Sequence, residues 1–433
     1  MKALMVSDFY LPQVGGTERA VADLAQGLRL RGHMVLVATL RQEGLPRHEE
    51  VDGVVVHRLR GLAQGLPLLN ARSGPRYHLP TPDPLVAREL DRLIAREGPD
   101  IVHGHSWMFF SALPSCQARG IATVATLHDY ALLCPKKTLL YDEARPCSSG
   151  LGRRCLRCAA AMYGAPKGAL VSAGLARARG SVRAVDRFIA ISAHVAAMHV
   201  GSGVVDPSRL ATVPNYVRDD VLSSPRRPRP PGLPDDYILF VGALGRHKGL
   251  RLLLDAYARL ETAVPLVLVG PTRPETPPTL PAGVVAPGNL SHDAVLAAMD
   301  HCRFLVSPAL WPEPFGLVLI EAMARGKAVV AARAGGPLEI VRDGETGLLA
   351  PPGDAEALAG AMRLLLDDPD MARRMGRAGK TRCAASFSAT TIVPRIEDVY
   401  TTAHRERHGP GAPDRREGPA NRGWEGSRSW SAS

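Results

Sequence analysis

The sequence predicts an α/β protein of two doubly wound, largely parallel sheets facing each other across a cleft. Three observations lead there. Short β-branched runs alternate with longer amphipathic stretches over residues 1–404, the pattern of parallel strands joined by crossover helices. A proline-rich break with little periodicity, Arg218 to Asp236, divides that series in two. The chain also has 433 residues, beyond the roughly 250–300 at which a single core stops growing.

Each half can be read in order. Ala3 to Val6 is a buried first strand, and the loop Asp8 to Gly16 leads into a helix from Thr17, with Val21, Leu24, Ala25 and Leu28 at helical spacing. Strands follow at Met34–Thr39 and Val54–Leu59, then a helix over 85–96 and strands at Ile101–His103, Ile121–Leu127 and Arg187–Ile191. The second series opens at Tyr237–Val241 and runs through helix 249–260, strand Pro265–Val269, Val284-Val285 and helix 292–300. Strand Phe304–Ser307, helix 317–325, strand Ala328–Ala332 and helix 355–367 complete it. This gives two Rossmann-like domains, 1–216 and 237–385, joined by a linker at 217–236. A last helix over 386–404 carries Ile392, Ile396, Val399 and Tyr400 and is expected to return to the first domain. Residues 405–433 have almost no aliphatics and read as a disordered tail.

Composition narrows the class. The net charge of +11 invites a nucleic-acid or membrane partner, and its location decides what that means. Residues 1–216 hold 26 basic and 17 acidic residues, whereas 237–404 hold 17 of each. The excess peaks in 151–187, with eight basic residues against one acidic. No run approaches the ~18 apolar residues of a membrane span. The apolar stretch before Ser7 and Asp8 is too short for a secretory leader, so a cytoplasmic location is expected. Seven unevenly spaced cysteines argue against a disulfide scaffold.

Three segments carry chemistry. Gly15-Gly16 precedes the first helix, where bare backbone N–H groups and the helix dipole favour an anion, although a tight turn alone would also use glycine. Trp311-Pro-Glu313-Pro-Phe315-Gly316-Leu317 opens a helix that carries Glu321. The two carboxylates stand ~9 Å apart along the axis, a spacing that suits a sugar hydroxyl and a ribose with a diphosphate between. The bland alternative, a capping Glu313 and a solvent-facing Glu321, fits poorly, because Leu317, Ile320 and Met323 make this helix largely apolar. Third, Val241-Gly242-Ala-Leu-Gly245-Arg246-His247-Lys248-Gly249 sets two cations after a strand, able to neutralise a diphosphate or simply solvated.

Together these segments resemble glycosyltransferase family 4, retaining enzymes of the GT-B fold that use nucleotide-sugar donors. The likeness spans nearly all of 1–404. It includes Pro12-Gln-Val-Gly15-Gly16-Thr-Glu18, Ile189-Ala-Ile-Ser192 with Val213-Pro214-Asn215, and Gly335-Gly336-Pro-Leu-Glu339 with Gly344-Glu-Thr-Gly347. The resemblance implies that Gly16 and Lys248 contact the donor diphosphate and that Glu321 holds the ribose. Glu313 and the backbone at Phe315 to Leu317 would hold the transferred sugar and phosphates. His128, in Leu127-His128-Asp129, matches a histidine near the anomeric carbon. One position departs: the arginine often found after Val-Gly is Ala243 here, with Arg246 three residues on. A UDP- or GDP-sugar is expected as donor and no catalytic metal.

Cys134, Cys147, Cys155 and Cys158 lie within 25 residues and fit a structural zinc or scattered reduced thiols equally well. The basic residues around them suggest an anionic membrane surface on the inner face of the cell membrane, or a lipid-linked or glycan acceptor. Two other readings compete. A nucleic-acid binder lacks aromatics interleaved with the basic residues and leaves Glu313 and Glu321 unexplained. A sugar-nucleotide epimerase of the same fold is opposed by the Glu-Pro-Phe-Gly form of the segment.

Overall fold

The structure is a computed structural model that describes residues 1–13, 15–65, 78–141, 145–147 and 151–409. In chain order the first half holds β1 (Lys2–Ser7), β2 (Met34–Leu40), β3 (His48–Val51), β4 (Val54–Leu59), β5 (Ile101–Gly104) and β6 (Ala122–Leu127). A small hairpin, β7 (Leu140–Tyr141) and β8 (Arg145–Pro146), precedes β9 (Arg187–Ala190) and β10 (Leu210–Thr212). The main sheet runs β10-β9-β6-β5-β1-β2-β4-β3, parallel except where β3 meets β4. The second half holds β11 (Ile238–Val241), β12 (Leu266–Val269), β13 (Val284–Gly288), β14 (Phe304–Ser307), β15 (Ala328–Ala332) and β16 (Gly347–Ala350). They form an all-parallel sheet in the order β13-β12-β11-β14-β15-β16.

Both sheets are covered on each face, which is why their strands read as continuous apolar runs. Alternation in β1 sorts the cover: Ala3 and Met5 pack with Val21, Leu24 and Leu28 of the Gly16–Leu30 helix, whereas Leu4 and Val6 pack with Leu90, Ile94 and Trp107. Strand order reverses between β1 and β5 and again between β11 and β14. Ligands of such sheets bind in the crevice outside the strand C-termini at that reversal. The loops after β1 and β11 are the ones that carry Gly15-Gly16 and Arg246 to Lys248.

The C-terminal helix, Ala389–His408, returns to the first sheet as expected, burying Ile392, Ile396 and Tyr400 against Met5 and Leu28. Its Glu397 is buried and paired, accepting hydrogen bonds from Arg31 at 2.7 Å and from the His33 ring at 2.8 Å. Burial would raise this carboxyl, but the bonds to Arg31 and His33 outweigh it and hold it below the ordinary range. The helix runs four residues past the expected end at 404, because Arg405 to His408 stay on its exposed last turn, where Glu406 pairs with Arg187. The expected tail lies, from residue 410 on, outside the described residues.

Several elements were not legible in the sequence. The basic cysteine stretch is a helical hairpin, Arg153–Tyr163 and Ala165–Ser181. The Pro369–Ser386 helix buries Ala372, Gly376, Gly379 and Cys383 beside one larger side chain, Met375. Such small residues make no apolar stripe for periodicity to find.

Candidate active site

On the first wall, Gly15 is extended and Gly16 begins the Gly16–Leu30 helix, with no side chain capping it. Both glycines are exposed. A Cβ on Gly16 would stand 3.9 Å from Leu317 Cδ1, so this helix start faces the start of the Leu317–Ala324 helix across the cleft. A Cβ on Gly15 would meet the Glu18 carboxylate at 2.4 Å. Burial pushes that carboxyl's pKa up.

On the second wall the chain leaves β14 and turns through Trp311 to Gly316. Gly316 has φ 111 and caps the Leu317–Ala324 helix. Phe315 is buried, its ring 5.9 Å from that of Phe387, which leaves only its backbone for the site. Gly335 holds this turn in place: it has φ 68, and a Cβ there would sit 2.4 Å from the Glu313 carbonyl oxygen. The Gly335-Gly336 pair is thus required by close backbone approach. Gly249 does the same for the facing loop, with φ 78 and a would-be Cβ 2.0 Å from the Pro308 oxygen.

These constraints bring Lys248 and Glu313 together. Lys248 Nζ lies 2.9 and 2.7 Å from the two Glu313 carboxylate oxygens. Trp311 Nε1 donates to the same carboxylate at 2.7 Å, and its ring lies 5.0 Å from Lys248 Nζ. Glu313 is therefore not a simple helix cap; it is the acceptor of a cation and an indole. Arg246, three residues from Ala243, has an exposed side chain, and its backbone N–H donates to Glu275 at 3.2 Å. Of the two cations the sequence offered, Lys248 is the one joined to Glu313. Gly242 directly follows β11, its N–H bonded to the Val269 oxygen at 2.9 Å.

Glu321 is not solvent-facing. His292 Nε2 lies 2.8 Å from its carboxylate, giving the apolar helix the partner its lone charge needed. His128, just past β6, is half-buried, and its Nε2 lies 2.9 Å from His105 Nδ1. Burial pushes His128 down to about 4, so its ring is neutral near pH 7.

The two domains meet around the Glu313 turn. Tyr130 donates to the Pro312 oxygen and Ser192 to the Pro314 oxygen, each at 2.6 Å. The Glu339 carboxylate accepts the Ala193 and His194 backbone N–H groups at 2.9 and 3.0 Å, capping a first-domain helix from the second domain. Trp311 and Glu339 sat inside motifs already singled out, without a role. Tyr130, His105 and His292 had no local signal.

The cysteines do not assemble. Among the described residues, which include all four, no three His, Cys, Asp or Glu side chains are grouped so as to hold a metal ion. The reason is local: Cys155 is buried on the Arg153–Tyr163 helix, while Cys134 ends a turn bonded back to the Tyr130 oxygen. The Cys134 thiol is pushed up, first by burial. The basic stretch also divides. Arg179 is spent on the Leu132 and Leu133 carbonyls and Arg187 on Glu406, while Arg153, Arg154, Arg157, Arg177 and Arg183 stay exposed.

With this geometry in place, comparison with known proteins gives one direction. A family model described as "Glycosyltransferase Family 4" matches residues 14–221, and one described as "Glycosyl transferases group 1" matches 226–382. Glycogen synthase of Mycobacterium tuberculosis is 27% identical over 441 residues, covering 95% of this chain and 97% of that protein. Sucrose-phosphate synthase from Thermosynechococcus elongatus superposes with a TM-score of 0.67 at 23% identity, over 93% of this chain and 98% of that one. Anabaena HepE, solved with UDP-glucose, gives 0.66 at 20% identity, over 93% of this chain and all of that one. The two matched segments meet where the two sheets meet, and the chain belongs to glycosyltransferase family 4, with the GT-B fold.

Proposed function

We propose that this glycosyltransferase moves a sugar from a UDP- or GDP-linked donor to a hydroxyl of a glycan or lipid-linked acceptor, retaining the anomeric configuration. The observation that carries the reading is the pair of helix N-termini, at Gly16 and Leu317, facing each other beside the Lys248–Glu313 pair. When the bond from the anomeric carbon to the diphosphate breaks, negative charge grows on the departing oxygens and positive charge on the sugar. Lys248 and the two helix starts meet the first charge, and Glu313 lies where a carboxylate can hold the sugar. Glu321 takes the ribose, tied in place by His292. The acceptor oxygen attacks from the leaving-group face, and no side chain is assigned as a covalent nucleophile. The UDP-glucose bound by the Anabaena neighbour supports a uridine donor.

A donor screen by thermal shift tests this. The true nucleotide sugar at ~100-fold over its Kd adds about 2.7 kcal/mol by mass action, a rise of a few degrees in Tm. No shift with any UDP- or GDP-sugar, together with no nucleotide release, would defeat the reading.

The partner surface is the Arg153–Ser181 hairpin. Its exposed arginines accompany Leu156, Met162 and Leu170, which are 46%, 51% and 50% exposed. Among the described residues no helix is long and apolar enough to cross a membrane. An anionic surface would attract each arginine by about 1 kcal/mol and accept the apolar side chains, which supports a location on the inner face of the cell membrane as part of this proposal. Co-sedimentation with phosphatidylglycerol vesicles at low salt, lost on Arg153→Glu/Arg157→Glu, is expected; equal sedimentation of both proteins would count against it.

A further inference from the structure

Three histidines stand in file at the ends of β5 and β6, and the transfer chemistry above assigns none of them a step, although the family resemblance sets the first, His128, near the anomeric carbon. His128 follows β6; His103 and His105 lie at the end of β5, the strand paired with it. His105 Nδ1 is 2.9 Å from His128 Nε2. The His103 ring lies against that of His105, with centroids 4.0 Å apart. His103 is itself held on both nitrogens, each at 2.7 Å, by the Tyr400 hydroxyl and by the Thr126 hydroxyl. Tyr400 comes from the C-terminal helix, so an element remote in sequence fixes the plane of the file. His103 and His105 are buried. Burial, with the neighbouring rings, pushes His103 down to about 3 and His105 well below its ordinary value, and burial alone pushes His128 down to about 4. Near pH 7 each ring is neutral and carries one proton.

A single proton therefore lies between His105 and His128, and the far edge of His105 decides its owner. His105 Nε2 is buried and meets no hydrogen-bond partner among the described residues. If the proton belonged to His128 Nε2, His105 would accept at Nδ1 and carry its own proton on Nε2, as a buried N–H with no acceptor among the described residues. That is the rarer and costlier orphan. With the proton on His105 Nδ1, only a lone pair is left unpaired at Nε2, and His128 must carry its proton on Nδ1.

We propose that His105 is a positioning residue that donates from Nδ1 to His128 Nε2, fixing His128 as its Nδ1–H tautomer. His128 then offers the cleft a hydrogen-bond donor and does not take the acceptor's proton. This rests on the placement of His128 in the transfer site.

The test uses full-length protein labelled with 15N-histidine, with ring nitrogens read by two-bond proton correlation. His128 is assigned from the cross-peaks lost in His128→Gln. The wild type is expected to show a protonated Nδ1 and a bare Nε2 at His128. In His105→Leu that preference should be lost, and in His105→Asn, whose amide nitrogen takes the place of Nδ1, it should return. Turnover of the nucleotide sugar should fall about 10–100-fold in the leucine variant with its KM within about threefold, and recover most of the way in the asparagine variant. A protonated Nε2 at His128 in the wild type, or the same tautomer in wild type and His105→Leu, overturns the proposal. The wild-type spectrum decides even if the leucine variant does not fold. Undiminished turnover in His128→Gln would instead overturn the placement on which the proposal rests.

Discussion

Glu313→Gln is expected to lower sugar transfer by about 10²–10³-fold while leaving the fold unchanged. Its carboxylate accepts from Lys248 at two oxygens and from the Trp311 indole. A glutamine keeps the size but turns one oxygen into an N–H donor, so at least one of those two partners then faces a donor instead of an acceptor. The same change removes the negative charge offered to the sugar as its anomeric carbon becomes positive. Loss of one preorganised group of this kind costs about 10²–10³ in rate. The Lys248 and Glu313 side chains are only 26% and 13% exposed, so removing the charge from one partner also costs about 1–3 kcal/mol of stability, which lowers the melting temperature without changing the fold. Steady-state nucleotide release and a thermal melt on the same preparation check both halves. Turnover within about threefold of wild type would remove Glu313 from the site.

Lys248→Ala has the second large effect. It takes away the cation that, among the described residues, the tertiary structure joins to Glu313, whereas Arg246 is exposed on the same loop. Diphosphate departure then relies on the two helix N-termini, each worth only about half a charge. Turnover should drop by about 10³-fold, with donor affinity weaker by about tenfold as read by calorimetry. Because the lysine and the carboxylate act as a unit, Glu313→Gln combined with Lys248→Ala should be hardly slower than the slower single variant. Fully multiplicative losses would show that the two groups act separately. Restoration by Lys248→Arg should be partial, since a planar guanidinium cannot reproduce a point charge held between two carboxylate oxygens.

Much of this protein was open to reading from local pattern. Most strands of both sheets lie in apolar runs, since parallel sheets are covered on both faces, and these were read close to where they stand; the polar edge strand His48–Val51 and the short strands Leu210–Thr212 and Gly347–Ala350 were not. Elements whose buried side is made mostly of small residues, such as Ala372 to Cys383 of the Pro369–Ser386 helix, left no such trace. In the site, glycines were the most informative residues: Gly249 and Gly335 have conformations and close neighbours that exclude a Cβ, a requirement written directly into residue identity. The cysteine spacing left two readings open for the opposite reason. A spacing compatible with four zinc ligands says nothing about where the thiols point, and one of the four is turned into the helical hairpin.

From its residues alone this chain specified two doubly wound domains, a returning C-terminal helix and a family-4 glycosyltransferase, with an unequal distribution of charge between its halves. Those properties follow from periodicity, composition and short motifs, which act over a few residues. Only the tertiary structure decided the partnerships: Lys248 with Glu313 across 65 residues, Glu321 with His292 across 29, Glu339 with the helix at His194 across 145, and His128 with His105 across 23. A buried or half-buried charge must find its counterpart wherever the packed sheets bring one within hydrogen-bond distance. That distance is set by strand order and loop closure, and no local pattern records it.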